Sequence, residues 1–178
     1  MGDRFLEETG VETEADAMRE TLKSALQQRQ NTVYARAEIG NERTEFRSEL
    51  AKLIRSESQR YALPIPVSDV QHCEAIRRIS DTLSRRFGKI LKDGRLRYGT
   101  AQKALNLYLK FLWRLGKAAI PPHCPVDGTV LKAAGISGSW TWSDSEKEYA
   151  GWINSLKAEK AAGRSLAEWE YNMWRPSK

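Results

Sequence analysis

The sequence predicts an all-α fold, and three observations support that prediction. Between Ile76 and Ile90, apolar residues recur at spacings of 3, 4, 4 and 3, which is the period of an amphipathic helix. The segment 100–115 is apolar almost all round, which predicts a central, buried helix. No segment alternates apolar and polar residues in the way that a half-buried strand does.

The composition is that of a chain with a packed core. Hydrophobic residues make up 40% of the sequence and six residues are tryptophan, whereas disordered chains are poor in both. No apolar run approaches the roughly 18–20 residues that span a bilayer. The N-terminus is acidic, unlike a cationic secretion signal, and two cysteines give no disulfide framework. We therefore expect a cytoplasmic protein with reduced thiols and no membrane partner.

The N-terminal part of the chain predicts a helical arm over residues 1–65. Two segments within it, 15–30 and 42–61, carry apolar residues at helical spacing. Such helices need a partner surface, so the arm either docks on the rest of the chain or mediates contact with an oligomer or a partner protein. The first 13 residues lack apolar periodicity, which predicts a loose segment.

A compact all-α domain is predicted over residues 66–178. Two prolines close the preceding segment, and Ser68 is a suitable N-cap for the amphipathic helix that follows. Ser165 has the capping-box spacing with Glu168 that begins a last helix. The other helices of this domain are predicted over residues 100–115, 126–136 and 144–160.

Positive charge is concentrated in one block of the sequence. The chain has a net charge of +6, and residues 67–117 alone contain 12 Lys and Arg against 4 Asp and Glu. Such a block attracts polyanions, because each neutralised phosphate releases counterions. It is also typical of a solvated helix face, or of a face that meets an acidic protein. The favoured partner is DNA, and the basic residues expected to contact it are Arg77, Arg78, Arg85, Arg86, Lys89, Arg95, Arg97 and Lys110.

The histidines and cysteines of the chain occur as two identical pairs, His72-Cys73 and His123-Cys124. Four such side chains could hold zinc in a tetrahedron. Adjacent residues on a helix point about 100° apart, however, and structural zinc sites usually space their ligands more widely. We therefore expect no metal and no cofactor.

Residues 98–136 carry a resemblance to a known family. The segment YGTAQKALNLYLKFLW, followed by IPPHCPVDGTVLKAAG, resembles the core of the helix-hairpin-helix DNA glycosylases, the superfamily of endonuclease III and the 8-oxoguanine DNA glycosylases. Lys103, Asn106 and the triplet Pro125-Val126-Asp127 match positions of that core. The resemblance implies a helix-hairpin-helix element whose amides, near Gly99, bind phosphate. It also implies that Lys103 attacks the sugar C1′ and that Asp127 activates it or stabilises the developing positive charge.

Base excision gives a chemical reason for such a pair. It creates oxocarbenium-like charge that a carboxylate stabilises, and an amine whose pKa is lowered by burial is nucleophilic at neutral pH. Each residue also has a simpler interpretation, Lys103 as an amine reaching solvent from a buried helix and Asp127 as a helix cap. Two functions therefore remain open: a DNA-repair glycosylase and abasic-site lyase, or a non-catalytic basic module that binds nucleic acid or a protein.

Overall fold

The computed structural model describes residues 3–27, 33–35, 40–161 and 163–174, and these residues form an all-α fold, as predicted. The only β pairing within these ranges is an isolated antiparallel bridge between Tyr34 and Leu91. Short 3₁₀ turns occur at Gln59–Ala62 and Lys92–Gly94, and a π-helical turn at Lys157–Ala161. The described α-helices are α1 (Arg4–Thr9), α2 (Glu14–Leu26), α3 (Glu42–Ser58), α4 (Asp69–Phe87), α5 (Tyr98–Arg114), α6 (Gly128–Ala134), α7 (Glu146–Leu156) and α8 (Leu166–Met173).

The first helix is the clearest difference from the sequence prediction, which made this segment loose. The Asp3 carboxylate accepts hydrogen bonds from the amides of Phe5 and Leu6, so it caps α1. Phe5 is buried and stacks on Phe111 of α5, with ring centroids 4.8 Å apart. One buried aromatic residue and one cap therefore order a helix that is too short to show a periodic apolar face.

Helix α5 is the centre of the fold. Fifteen of its 17 residues are buried, and α2, α3 and α4 all pack against it. A single hydrophobic cluster contains Phe5 and Leu50 from the predicted arm together with Leu166 from the predicted domain. Assembly with another chain stays a prediction. Within the described part of the chain, every helix is too short or too polar to traverse a bilayer.

The polar residues of α5 form one stripe that meets other parts of the chain rather than solvent. The sequence spacing places Lys103, Asn106, Lys110 and Arg114 on this stripe. Each of them has a side-chain partner from another segment. The pairs are Lys103 with Asp127, Asn106 with Tyr149, Lys110 with Glu170, and Arg114 with Asp3. The stripe therefore fixes where α1, α6, α7 and α8 dock, because a buried polar group without a partner is strongly destabilising.

Candidate functional site

Lys103 and Asp127, which lie 24 residues apart in the sequence, meet in the structure. The Lys103 Nζ lies 2.6 Å from Asp127 Oδ2, and the two side chains are 9% and 28% exposed. Helix α5 provides the lysine in its second turn, and the aspartate stands directly before α6. The predicted catalytic residues are thus in direct, largely buried contact.

The two carboxylate oxygens of Asp127 have different partners. Oδ1 accepts hydrogen bonds from the amides of Thr129 (3.0 Å) and Val130 (3.1 Å), which makes Asp127 the N-cap of α6, while Oδ2 pairs with Lys103. Burial by itself raises the pKa of Asp127, but the Lys103 ammonium and the two amides outweigh burial and hold the pKa below its ordinary value. The resting state of the pair is therefore a carboxylate facing an ammonium.

The pair forms part of the wall of a cavity of about 470 Å³. The N-terminal helices also line the cavity, with Phe5 and Thr9 from α1 and Lys23 from α2. Trp174, which follows α8, adds an aromatic surface to the lining. The lining also contains two more ion pairs, Lys110–Glu170 and Lys23–Glu20, so the cavity offers charged groups as well as aromatic rings to a small polar ligand or a nucleobase.

Lys110 lies in the same cavity but in a different environment. It is 2% exposed, and its Nζ donates to Glu170 Oε1 at 2.9 Å while lying 4.2 Å from the centroid of the Phe5 ring. Burial lowers the pKa of Lys110, although the Glu170 carboxylate opposes that shift. The predicted contact between Lys110 and DNA is therefore corrected: its ammonium serves an internal ion pair.

Two further residues predicted to bind DNA are also buried. Arg97 forms an ion pair with Asp93, and its guanidinium lies 4.3 Å from the centroid of the Trp142 ring. The Gly99 amide donates to the Ser143 carbonyl oxygen at 3.0 Å. The amide of Tyr98 is likewise taken, by Asp144 Oδ1 at 3.0 Å. The first amides of α5, which the resemblance assigns to phosphate, are thus bound by protein oxygens in this structure.

The remaining predicted DNA contacts lie on the surface, and most of them have acidic partners. Arg78 makes a bidentate pair with Glu57, with both distances at 2.8 Å. Arg85 and Lys89 are exposed and have no ion pair with a carboxylate of the described residues. None of these exposed basic residues is among the described residues that line the Lys103 cavity. The other three are paired as Arg77 with Glu146, Arg86 with Glu49, and Arg95 with both Asp81 and Asp144.

Gln102, which the sequence did not single out as a site residue, forms a clamp beside the Lys103–Asp127 pair. It is fully buried, its Nε2 donates to the Val126 carbonyl oxygen at 2.6 Å, and its Oε1 accepts from the Val126 amide at 3.2 Å. The same Oε1 accepts from Asn106 Nδ2 at 3.1 Å. Because the Val126 amide can only donate, these bonds fix which end of each side-chain amide carries the oxygen.

The orientation of Asn106, together with the burial of both rings, assigns the protonation of the two histidines. Its Oδ1 lies 2.7 Å from His72 Nε2, which must therefore carry a hydrogen, and His72 Nδ1 accepts from the Tyr61 hydroxyl at 2.6 Å. Its Nδ2 donates to the Tyr149 hydroxyl at 3.0 Å, which leaves the Tyr149 hydrogen for His123 Nδ1 at 2.8 Å. Both imidazoles are neutral in this pattern, and burial lowers the pKa of each.

The two His-Cys pairs do approach each other, with the ring centroids of His72 and His123 4.4 Å apart. All four ring nitrogens have side-chain partners, since His123 Nε2 also donates to Asp69 Oδ1 at 3.2 Å. Both thiols are buried, and burial raises the pKa of Cys73 and Cys124. Across the described ranges, no group of three or more potential ligands is arranged to hold a metal.

A second cavity, of about 560 Å³, lies between residues 63–67 and 119–122. Its lining is mostly proline and aliphatic side chains, and the titratable side chain among its described lining residues is that of Tyr61. The Lys103 cavity is thus the better candidate for chemistry, since a lysine and a carboxylate meet in its wall. No protein-family model, curated protein or solved structure matches the chain.

Proposed function

We propose that this protein is a DNA glycosylase with abasic-site lyase activity, in which Lys103 is the nucleophile and Asp127 its electrostatic partner. The observation that supports the proposal is the 2.6 Å contact between Lys103 Nζ and Asp127 Oδ2 in the wall of a 470 Å³ cavity. The resemblance of residues 98–136 to the helix-hairpin-helix glycosylases assigns these two residues to the same chemistry.

The proposed reaction begins with the Lys103 ammonium beside the C1′ carbon. The bond from C1′ to the base breaks, its electron pair leaves with the base, and one proton of the Lys103 ammonium neutralises the departing base. The amine then forms a bond to C1′, and opening of the sugar ring gives an iminium. In the lyase step the C2′ proton passes to water and the C3′ phosphate leaves with the electron pair of the C3′–O bond. A second water then hydrolyses the iminium and releases the lysine.

Asp127 contributes negative charge where positive charge develops on the sugar. Because α6 holds one of its oxygens through two amides, the carboxylate stays in place when the lysine moves toward C1′. The low pKa of Asp127 keeps it ionised at neutral pH. A fixed, ionised carboxylate stabilises an oxocarbenium-like transition state better than it stabilises the neutral sugar, which is the requirement for catalysis.

Binding of the DNA backbone would fall first to Arg85 and Lys89, whose charges lack acidic partners among the described residues. The arginines paired with glutamates can exchange a carboxylate for a phosphate, since both are bidentate acceptors. Arg78, with its exposed pair to Glu57, is an example. Each phosphate contact should add about 0.9 to the slope of log affinity against log salt.

Borohydride trapping on duplex DNA with an abasic site tests the proposal. Reduction of the imine leaves a covalent adduct, which we expect for the wild type and not for Lys103→Ala. Lys23→Ala is the matched control, because Lys23 lines the same cavity but is 58% exposed and pairs with Glu20 rather than Asp127. Asp127→Asn keeps an oxygen for the α6 cap and should slow trapping on the order of 100-fold.

Peptide mapping of the adduct identifies the attacking amine. An adduct on Lys23 or Lys110, or one that persists in Lys103→Ala, would refute the assignment of the nucleophile. If the wild type gives no adduct, a panel of duplexes with damaged bases tests for excision without lyase activity. Failure of both assays, with salt-dependent DNA binding retained, would leave the non-catalytic binding module as the function.

A further inference from the structure

The irregular segment between α5 and α6 carries Asp127 to its position opposite Lys103. Three of its last seven residues, Pro121, Pro122 and Pro125, lack a backbone N–H and cannot donate a hydrogen bond to hold the segment in place. Val126 follows the last of these prolines and is fully buried. Its amide and carbonyl both need partners in the core, because an unpaired buried peptide group is destabilising.

Gln102 supplies both partners at once. Its side-chain amide donates to the Val126 carbonyl oxygen at 2.6 Å and accepts from the Val126 amide at 3.2 Å. Gln102 directly precedes Lys103, and Val126 directly precedes Asp127. The two neighbours of the catalytic pair are therefore joined by a two-point contact, which restrains both distance and rotation of the peptide that carries Asp127.

The Gln102 side-chain amide cannot easily rotate by 180°, because its hydrogen bond with Asn106 fixes its orientation. A reversed Gln102 amide would point its NH₂ group at the Val126 N–H and at the NH₂ group of Asn106, and its oxygen at the Val126 carbonyl. All three contacts would then join two donors or two acceptors. The buried hydrogen bonds of Asn106 to His72 and Tyr149 hold Asn106 itself in place.

We propose that Gln102 is a positioning residue for the Lys103–Asp127 pair, which it aligns by clamping the Val126 peptide to α5. The catalytic consequence rests on the proposed function, whereas the positioning itself is a property of the folded protein. Gln102 does not touch the reacting atoms in this assignment. It acts on them through the backbone of the next element.

The pKa of the Asp127 carboxyl, measured by carbon-13 NMR, reports on positioning without any DNA. We expect Gln102→Met to raise it toward or above its ordinary value, because burial raises the pKa and the Lys103 contact that opposes burial is weakened. Methionine has nearly the same length as glutamine and cannot make the clamp. Ser80→Ala is the matched control, since it removes a buried hydrogen bond to the Leu96 carbonyl oxygen and touches no member of the clamp.

Hydrogen exchange of the wild-type Val126 amide gives a second test that needs no variant. Val126 lies outside the helices, so its protection depends on Gln102 Oε1 and on burial. We expect exchange at least about 100-fold slower than for an unprotected amide. Exchange at the unprotected rate would overturn the clamp, as would a folded Gln102→Met variant whose Asp127 pKa equals that of the wild type.

The abasic-site assay then separates positioning from catalysis. If the wild type forms the borohydride adduct, Gln102→Met should slow single-turnover trapping about 100-fold, as a displacement of about 1 Å does, with the affinity for DNA unchanged. A Gln102→Met variant that moves the Asp127 pKa but traps at the wild-type rate would overturn the catalytic consequence. A wild type that never traps would refute the lyase part of the proposed function, and the NMR result would still decide the role of Gln102.

Discussion

Mild acid should destabilise this protein, because His72 and His123 are held neutral in its core. His72 is fully buried between Tyr61 and Asn106, and His123 lies between Tyr149 and Asp69. Burial lowers the pKa of both histidines, and their proximity lowers that of His72 further. As the pH falls below about 6.5, the unfolded chain binds protons that the folded chain does not, so the free energy of unfolding falls.

The size of the effect follows from proton linkage. A histidine with an unfolded pKa of about 6.5 that stays neutral in the folded state removes about 2 kcal/mol of stability between pH 7 and pH 5. His72 should contribute nearly all of that amount. His123 should contribute less, because the Asp69 carboxylate favours its charged form. A total of roughly 2–4 kcal/mol is a large fraction of the 5–15 kcal/mol typical of a domain.

The carboxylates of Asp69 and Asp127 do not change their charge between pH 7 and pH 5. The pKa values of Asp69 and Asp127 lie below their ordinary values, so these groups stay ionised and their stabilising contribution is lost only as the pH falls below about 4. Urea unfolding curves at pH 7, 6 and 5, followed by tryptophan fluorescence, therefore measure the histidines. His72→Gln is the informative variant, because glutamine can donate to Asn106 and accept from Tyr61 but does not titrate.

The test compares how steeply the free energy of unfolding falls with pH in the wild type and in His72→Gln. The wild type should lose stability toward pH 5, and His72→Gln should lose less over the same range, whatever its stability at pH 7. An unfolding free energy that changes by less than about 0.5 kcal/mol in the wild type would mean that the histidines are charged in the folded protein. An equal slope in both proteins would mean that His72 is not one of the groups that take up protons on unfolding.

Two further predictions concern packing and the second buried ion pair. Gly99→Ala places a Cβ 1.8 Å from the Trp140 carbonyl oxygen and should destabilise the protein by at least about 2 kcal/mol. The Cβ of Gly128→Ala meets nothing within 4 Å, so this control should change stability by less than about 1 kcal/mol. Similar melting temperatures for the two variants would contradict the prediction. Glu170→Gln leaves the Lys110 ammonium without a counter-charge and should cost about 3–5 kcal/mol, and adding Lys110→Met should recover most of it in thermal unfolding.

The fold was predictable where the apolar pattern is long and regular. Helix α4 carries a continuous apolar stripe and a Ser68 cap, and the almost all-apolar segment of α5 predicted its central position. The short α1 was not predictable in this way, because its order depends on one residue, Phe5, packing against α5 more than 100 residues later in the chain. Periodicity measures repeated contacts along one helix and does not detect a single distant contact.

Charge was a poorer guide than apolar spacing. The sequence shows that residues 67–117 are basic, but it does not show which acidic residues from other segments face them. Arg78 and Lys110 look alike as charges in the sequence, yet Arg78 is half exposed beside Glu57 and Lys110 is buried with Glu170. The acidic partner of each basic residue depends on the tertiary structure. A basic block in the sequence therefore predicts an excess of positive charge but not a nucleic-acid interface.

The two interpretations of Asp127 that the sequence leaves open are compatible, because a carboxylate has two oxygens. Oδ1 caps α6 and Oδ2 faces the lysine. The cap makes the pairing more effective: a carboxylate already held by two amides loses little freedom when it meets an ammonium. Polar residues of α5 also have a structural role: Gln102 and Asn106 interrupt an apolar helix and orient the peptide that leads to Asp127. Structural and chemical roles therefore coincide in the same side chains, so Asp127→Asn, which keeps the cap and removes the charge, separates them better than Asp127→Ala.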